Sequence, residues 1–263
     1  MNTKKKILLL ACAGMMLTAV SPMQAQDDTL LVSTSGPSVL GKNELLWSNR
    51  MEYFDYQAFF SSPYGHETIH GIGLGSNLRL GIGMRSELTL DLNSVTYIGK
   101  MYDSSAVSHL GTNFVPAVGA RVMLYEGRGW LPQVAFRTEL SLMSWTGTDL
   151  WFLQPQVGLQ FRNRMGRHWL LDSSIGYAWN GLPDYGHNPF SPALPYSIAA
   201  RWLPSSRLML GIGVENGSEW LEAAWQASPD LMMSFRGSIR HKRIVPFFES
   251  LCDVQLGLQW LLR

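Results

Sequence analysis

The sequence predicts an all-β protein: a closed antiparallel transmembrane β-barrel of about twelve strands, within a range of ten to fourteen, with short periplasmic turns and longer extracellular loops. Three observations predict it. Strand-length segments alternate apolar and polar residues with period two along most of the chain. Charged residues make up only 16% of the sequence while tryptophan occurs ten times, low and high respectively for a water-soluble domain. After the N-terminal leader no apolar run reaches the roughly 18 residues a transmembrane helix needs, so entry into a membrane has to be by strands, whose closure into a barrel pairs every backbone polar group.

The elements follow in chain order. Residues 1–25 read as a signal peptide: Lys4, Lys5 and Lys6, an apolar run from Ile7 to about Val20, then Pro22 and the small-residue site at Ala25. Lipid modification at Cys12 is disfavoured because the residues after it stay hydrophobic. Without the three leader lysines, 18 basic residues stand against 20 acidic ones, a charge of about −2. That balance gives nucleic acid no basic surface to bind. Cys252 is then the only cysteine, which excludes an internal disulfide and a cysteine-rich metal site. Residues 26–43, polar and carrying Gly36-Pro37, are expected to form an extended periplasmic lead, and 44–263 the barrel.

The first strand is expected in "ELLWSNRMEYFDYQ". His70, Ile72, Leu74, Leu78, Leu80 and Ile82 then alternate with glycines, Asn77 and Arg79. After a turn at Gly83 to Arg85, Leu88, Leu90 and Leu92 alternate with Glu87, Thr89 and Asp91, so the pair reads as a hairpin. Val118 to Leu124 enclose Arg121. Trp130 to Leu142 oppose Arg137 and Glu139, and Trp151 to Phe161 oppose Gln154, Gln156 and Arg162.

In "HWLLDSSIGYAWNG" the odd positions Trp169, Leu171, Ser173, Ile175, Tyr177 and Trp179 form one face, with Asp172 on the other. At ~3.3 Å per residue the two tryptophans lie roughly 33 Å apart along the strand. A tilt of about 40° projects this to roughly 25 Å, the height of the apolar band of a membrane barrel. Trp130, Trp151, Trp169, Tyr177, Trp179, Trp202 and Trp260 are therefore the expected aromatic girdle. The last third continues with Tyr196 to Trp202 around Arg201, Leu208 to Val214 ending at Glu215, the less regular "EWLEAAWQA", Leu231 to Ile239 around Arg236, and Val254 to Trp260. Short links ("EGRG", "NRMGR", "PSS", "SPD") alternate mostly with longer ones at 58–66, 99–111, 181–192 and 241–249; "TGTD" and "NGS" are compact exceptions.

The stretches "SNLRLGIGMRSELTLDL", "PAVGARVMLYEGRGWLPQVAFRTELSL", "LLDSSIGYAWNG" and "LMLGIGVEN" resemble the outer-membrane β-barrel transporter family named for the MetA pathway of phenol degradation. The resemblance covers most of the chain after the leader and implies passage of small solutes, aromatic ones by name, across a bacterial outer membrane. Its motifs are strand patterns with few chemical groups of their own. One departure is the C-terminus, Trp260-Leu261-Leu262-Arg263, where outer-membrane chains commonly end on an aromatic. Recognition by the barrel-assembly machinery is then expected to use Trp260 or to be weaker than usual.

On the polar parity lie Arg50, Arg79, Arg121, Arg137, Arg162, Arg201, Arg236 and Arg240, against Glu52, Glu87, Asp91, Glu139, Asp172, Glu215, Glu222 and Asp253. The bland expectation is a plug of ion pairs, because buried charges persist when paired. The functional one is a constriction, formed by Arg79, Glu87, Asp91, Arg121, Arg137, Glu139, Arg162, Asp172, Arg201, Glu215 and Arg236, that selects solutes by charge and cation–π contacts. The expected pairs are Arg137 with Glu139, and Arg79 with Glu87 or Asp91 across the first clear hairpin, where neighbouring strands bring lumen side chains within reach.

Rival readings have thinner support. A phospholipase-type hydrolase needs a serine and a histidine within hydrogen-bond reach, yet His168 and Ser174 are ~20 Å apart on one strand, and His187 with Ser191 sits in a proline-rich turn. The reading is accordingly non-enzymatic. A soluble lipid-binding barrel would need its apolar faces inside. No metal is expected, because His66 and His70 have no evident third ligand, and no cofactor. The glycines of "GIGLG" fall on one strand parity with no following helix, so they do not form a phosphate loop; they leave room for long lumen side chains. Expected partners are outer-membrane lipid, the assembly machinery and a small-molecule solute. The oligomeric state is left open.

Overall fold

The computed structural model describes residues 36–59, 66–101, 108–127, 131–144, 151–179, 194–241 and 248–263. The expected signal peptide, Trp130, and His187 with Ser191 lie outside them.

Alternation at period two produces twelve strands: β1 (Leu45–Phe59), β2 (His66–Gly81), β3 (Ser86–Met101), β4 (Ser108–Tyr125), β5 (Gln133–Ser144), β6 (Trp151–Met165), β7 (Trp169–Ala178), β8 (Tyr196–Ser205), β9 (Leu208–Glu215), β10 (Ser218–Ser228), β11 (Leu231–His241) and β12 (Phe248–Leu262). Each pairs antiparallel with its sequence neighbours, and β1 closes on β12, with Trp47 opposite Trp260 and Met51 opposite Leu256. Closure leaves no unpaired edge. Both ends of the barrel chain and five short links define one rim, the turn end; the opposite rim is the loop end.

The two parities separate as expected. Leu74, Val118, Leu153, Ile212, Leu221 and Leu256 point outward and are 54 to 63% exposed, an apolar belt that only lipid can cover. Arg79, Glu87, Arg121, Arg162, Asp172 and Arg201 point inward and are buried.

Aromatic residues ring the belt. At the turn end Trp169 lies in register with Trp202, their rings stacked 6.3 Å apart. Beside them stand Trp47, whose Nε1 donates to Ser76 Oγ at 3.0 Å, Trp225 and Trp260. Tyr53, Tyr177, Trp179 and Tyr196 face outward toward the loop end. Five girdle predictions, Trp169, Tyr177, Trp179, Trp202 and Trp260, are therefore on the outer face. Trp151 opens β6, and Trp47 and Trp225 are additions.

Strands β1 to β4 are 15 to 18 residues long whereas β7 to β10 are 8 to 11. From the row of Tyr53 onward the outer face of the tall strands mixes polar groups with apolar ones, Ile98 staying exposed in register with His70. His70 Nδ1 lies 3.4 Å from Asp55 Oδ1, and Thr96 and Thr112 share a hydroxyl contact at 3.4 Å. These four strands thus outlast the apolar belt, while β9 and β10 end near it in a two-residue turn. Asn216 and Gly217 both take positive φ there, 48° and 85°, as a hairpin turn matched to strand twist requires.

The lead is the main correction to the expected topology. Residues 36–40 do not extend away from the barrel but enter its turn end, where Gly36, Pro37, Ser38 and Leu40 are buried. The main chain anchors there through Asn43 N donating to Gly81 O at 2.8 Å and Gly81 N to Glu44 O at 2.9 Å. A Cβ on Gly81 would lie 1.9 Å from Gly41 O, so only glycine lets the lead pass.

Candidate functional site: the barrel lumen

The register stacks the inward side chains in tiers. Nearest the turn end is an apolar floor. Leu46, Leu170, Leu203, Met209, Ala224, Met232 and Leu261, from β1 and β7 to β12, pack with Leu40 of the lead. Inward leucines and methionines in the last turn-side row of these strands cost nothing in a lumen if they meet one another, and Leu46 and Met209 are fully buried.

Above the floor lies a tier of ion pairs. On β2 and β3, Arg79 donates from Nε to Glu87 Oε1 at 2.8 Å and from Nη2 to Oε2 at 2.9 Å. Arg121 on β4 lies 3.4 Å from the same carboxylate. Arg162 on β6 grips Asp172 on β7 with Nε at 2.6 Å and Nη2 at 2.9 Å, and Arg201 on β8 donates to the same carboxylate from the other side. Arg201 Nε also reaches Glu222 at 3.3 Å. Guanidinium forks on carboxylates have fixed geometry, so this tier is a rigid lattice.

The lead is bound into that lattice. Arg79 Nη2 donates to Ser38 O at 2.9 Å, and Arg121 Nη1 to Gly36 O at 3.2 Å and Ser38 O at 3.3 Å. Leu40 N donates to Glu87 Oε2 at 3.0 Å, and Arg162 Nη1 to Ser38 Oγ at 3.3 Å. A Cβ on Gly36 would lie 2.1 Å from the Arg162 guanidinium. Segment 36–40 is therefore a strap across the turn-side mouth, held by arginines of three strands.

Toward the loop end the lumen opens into a cavity of about 380 Å³ with a polar lining. Around it Arg137 pairs with Glu139, and Arg236 Nη2 donates to Glu215 Oε2 at 2.6 Å. Asn77 holds Asp91, and Arg50 Nη2 donates to Asn93 Oδ1 at 3.0 Å. The eleven predicted lumen residues are thus all inward. The structure joins Arg79 to Glu87 and Arg137 to Glu139, while Asp91 takes an asparagine.

Trp220 was not among the expected site residues. It points inward, 4% exposed, with Arg236 Cζ 4.4 Å and Arg201 Cζ 5.4 Å from its ring centroid. Gly213 opposite provides the space, since a Cβ there would be 2.4 Å from Trp220 Cζ2. The residues weighed for hydrolysis go separate ways: His168 Nδ1 bonds with Leu203 O at 2.7 Å, and Ser174 Oγ with Ser197 Oγ at 2.7 Å.

No family model and no curated protein sequence matches this chain. Among solved structures it is similar to an outer membrane channel from Pseudomonas putida F1, with a TM-score of 0.58 and 10% identity over 91% of this chain and 100% of that one. The transport unit of the autotransporter AIDA-I from Escherichia coli gives a TM-score of 0.50 and 10% identity over 95% and 97%. Outer membrane phospholipase A from Escherichia coli gives 0.45 and 13% identity over 81% and 89%. The fold is that of outer-membrane β-barrels.

Proposed function

We propose that the protein is a narrow outer-membrane channel for small solutes, gated at its periplasmic end. The apolar belt with aromatics at both rims matches the outer-membrane type, and short turns identify the periplasmic rim. One observation carries the reading: a polar cavity of about 380 Å³ sits inside the barrel, and what separates it from the turn end is a floor, an ion-pair tier and a five-residue strap rather than the wall itself.

Twelve strands give an interior between filled eight-stranded and open sixteen-stranded barrels. A path there is obstructed by side chains, and displacing the strap removes the only obstructing main chain among the described residues. Small solutes enter from the loop end, reside in the cavity and leave when strap and floor yield. The sequence resemblance adds that the solutes include small aromatic molecules of the kind the family is named for.

The channel reading is favoured over a hydrolase because the charged groups gather inside the lumen, whereas a lipid-cleaving site belongs on the outer surface. Conductance in planar bilayers tests it. Small, intermittent openings are expected. Silence under all voltages and lipids refutes passage, and steady large-porin conductance refutes the gate.

A further inference from the structure

Across the cavity wall the charges are matched with one exception on each side. Of the arginines lining it, Arg79 and Arg121 share Glu87, Arg137 holds Glu139 and Arg236 holds Glu215. Of its carboxylates, Glu215 meets Arg236 and Glu222 meets Arg201. Arg50 and Asp91 also line the cavity, yet neither forms an ion pair among the described residues.

Each is instead steadied by a neutral asparagine. Asn93 accepts from Arg50 and Asn77 donates to Asp91. The register explains the arrangement. Arg50, Gly75 and Asn93 form one inward row across β1, β2 and β3, and Ser48, Asn77 and Asp91 the next. Gly75 contributes no side chain between Arg50 and Asn93, and a Cβ there would come within 3.0 Å of the Arg50 Nε. Arg50 and Asp91 therefore stand diagonally on one wall, two strands and one inward row apart, roughly 12 Å between Cα positions. Asparagine fixes each group's direction without neutralising it; Glu52, the next inward residue of β1, acts on Arg50 through space from beyond ion-pair distance, so the Arg50 fork and the Asp91 carboxylate still face whatever enters the cavity.

We propose that this wall is a binding site for a small zwitterionic solute bearing one carboxylate and one protonated amine, the carboxylate received by Arg50 and the ammonium by Asp91. A guanidinium receives a carboxylate through its fork of N–H donors, and an ionised carboxylate accepts the three donors of an ammonium. A solute with only one of these charges would leave the opposite wall group without its partner, which is the stronger kind of discrimination. The proposal rests on the channel reading, since it names a class of solute for the same cavity.

The test is equilibrium dialysis of the full chain in lipid nanodiscs against L-alanine, propionate and isopropylamine, three probes of similar size that differ in charge. Saturable alanine binding is expected, with propionate and isopropylamine each weaker by about ten-fold or more, the scale of one charge-assisted hydrogen bond. Arg50→Gln and Asp91→Asn should each lower alanine affinity about ten-fold. Arg50→Gln should do so without weakening isopropylamine, and Arg50→Lys should retain most of the alanine affinity. Heat-modifiable gel mobility confirms that each variant is a folded barrel. Equal binding of alanine and propionate, unchanged alanine affinity in both variants, or no alanine binding by a folded wild type overturns the proposal. If alanine fails to bind while ions pass in bilayers, the site alone is wrong. If alanine binds while neither ions nor alanine cross a vesicle, the site stands and the channel reading falls.

Discussion

Asp172 accepts Arg162 and Arg201 at once, Arg162 from β6 through a two-donor fork at 2.6 and 2.9 Å and Arg201 from β8 on the other side. The three side chains are 3 to 9% exposed, so one carboxylate holds two buried cations and ties three consecutive strands. Asp172→Ala leaves both guanidiniums without their shared anion. Breaking a buried pair in this way costs about 3 to 5 kcal/mol. Urea unfolding from lipid vesicles should show a loss of that order, and a change below about 1 kcal/mol would mean that Glu222 and Ser38 already satisfy the arginines.

The lipid-facing assignment gives a second expectation. Leu90, Leu140, Leu171, Ile212 and Leu258 have outward parity, with Leu90 and Ile212 in the middle of the belt. Arginine at either should cost about 2 to 4 kcal/mol of stability in the bilayer. The same substitution at Asp55, where the outer face is already polar, should cost much less. Folding yields into vesicles as a function of urea compare them directly, and equal costs at Ile212 and Asp55 would misplace the belt.

Gly213 and Trp220 give a third. Gly213→Val inserts a side chain where a Cβ already falls 2.4 to 2.6 Å from the indole, so Trp220 has to leave its place between Arg201 and Arg236. Overpacking of this kind costs about 1 to 3 kcal/mol. A changed near-ultraviolet circular dichroism signal that is absent in a Trp220→Phe background would identify the displaced ring. At Gly237, where a Cβ would meet only Asp253 O at 3.9 Å, alanine should be silent in both measurements.

Period two was enough to read the barrel, because an inward Arg121 between outward Val118, Val122 and Leu124 has no other reasonable placement. Arg79 with Glu87 was legible for the same reason: both lie on the lumen parity of one hairpin. Trp220 was not legible. Its strand carries Glu219 and Glu222 on opposite faces and Trp220 and Trp225 likewise, so neither charge nor aromaticity marks the lumen side. What identifies it is Gly213 across the β9–β10 pair, a relationship between strands that one strand's pattern does not contain. The strap was illegible for a related reason. Segment 36–40 has no periodicity, and its polar main chain looks solvated until arginines from β2, β4 and β6 are placed around it.

The strap yields the last prediction. Arg79 holds Ser38 O and Arg121 holds Gly36 O and Ser38 O, so the arginines plug the mouth both by their own bulk and by retaining main chain. Replacing residues 36–40 with a Gly-Ser spacer should raise single-channel conductance, because the spacer supplies neither the apolar contact of Leu40 with the floor nor the fixed carbonyls. Arg79→Ala should raise it too and shift selectivity toward cations, since it removes a positive charge from the path while leaving Glu87. Combined, the two changes should raise conductance by less than the product of their separate effects, as expected of groups sharing one contact. Arg137→Ala acts higher in the lumen on Glu139 and should multiply with the spacer. Conductance that is unchanged by the spacer but raised by Arg79→Ala would assign the gate to the arginine lattice alone, and independent effects of the spacer and Arg79→Ala would show that the strap is not held where these hydrogen bonds put it.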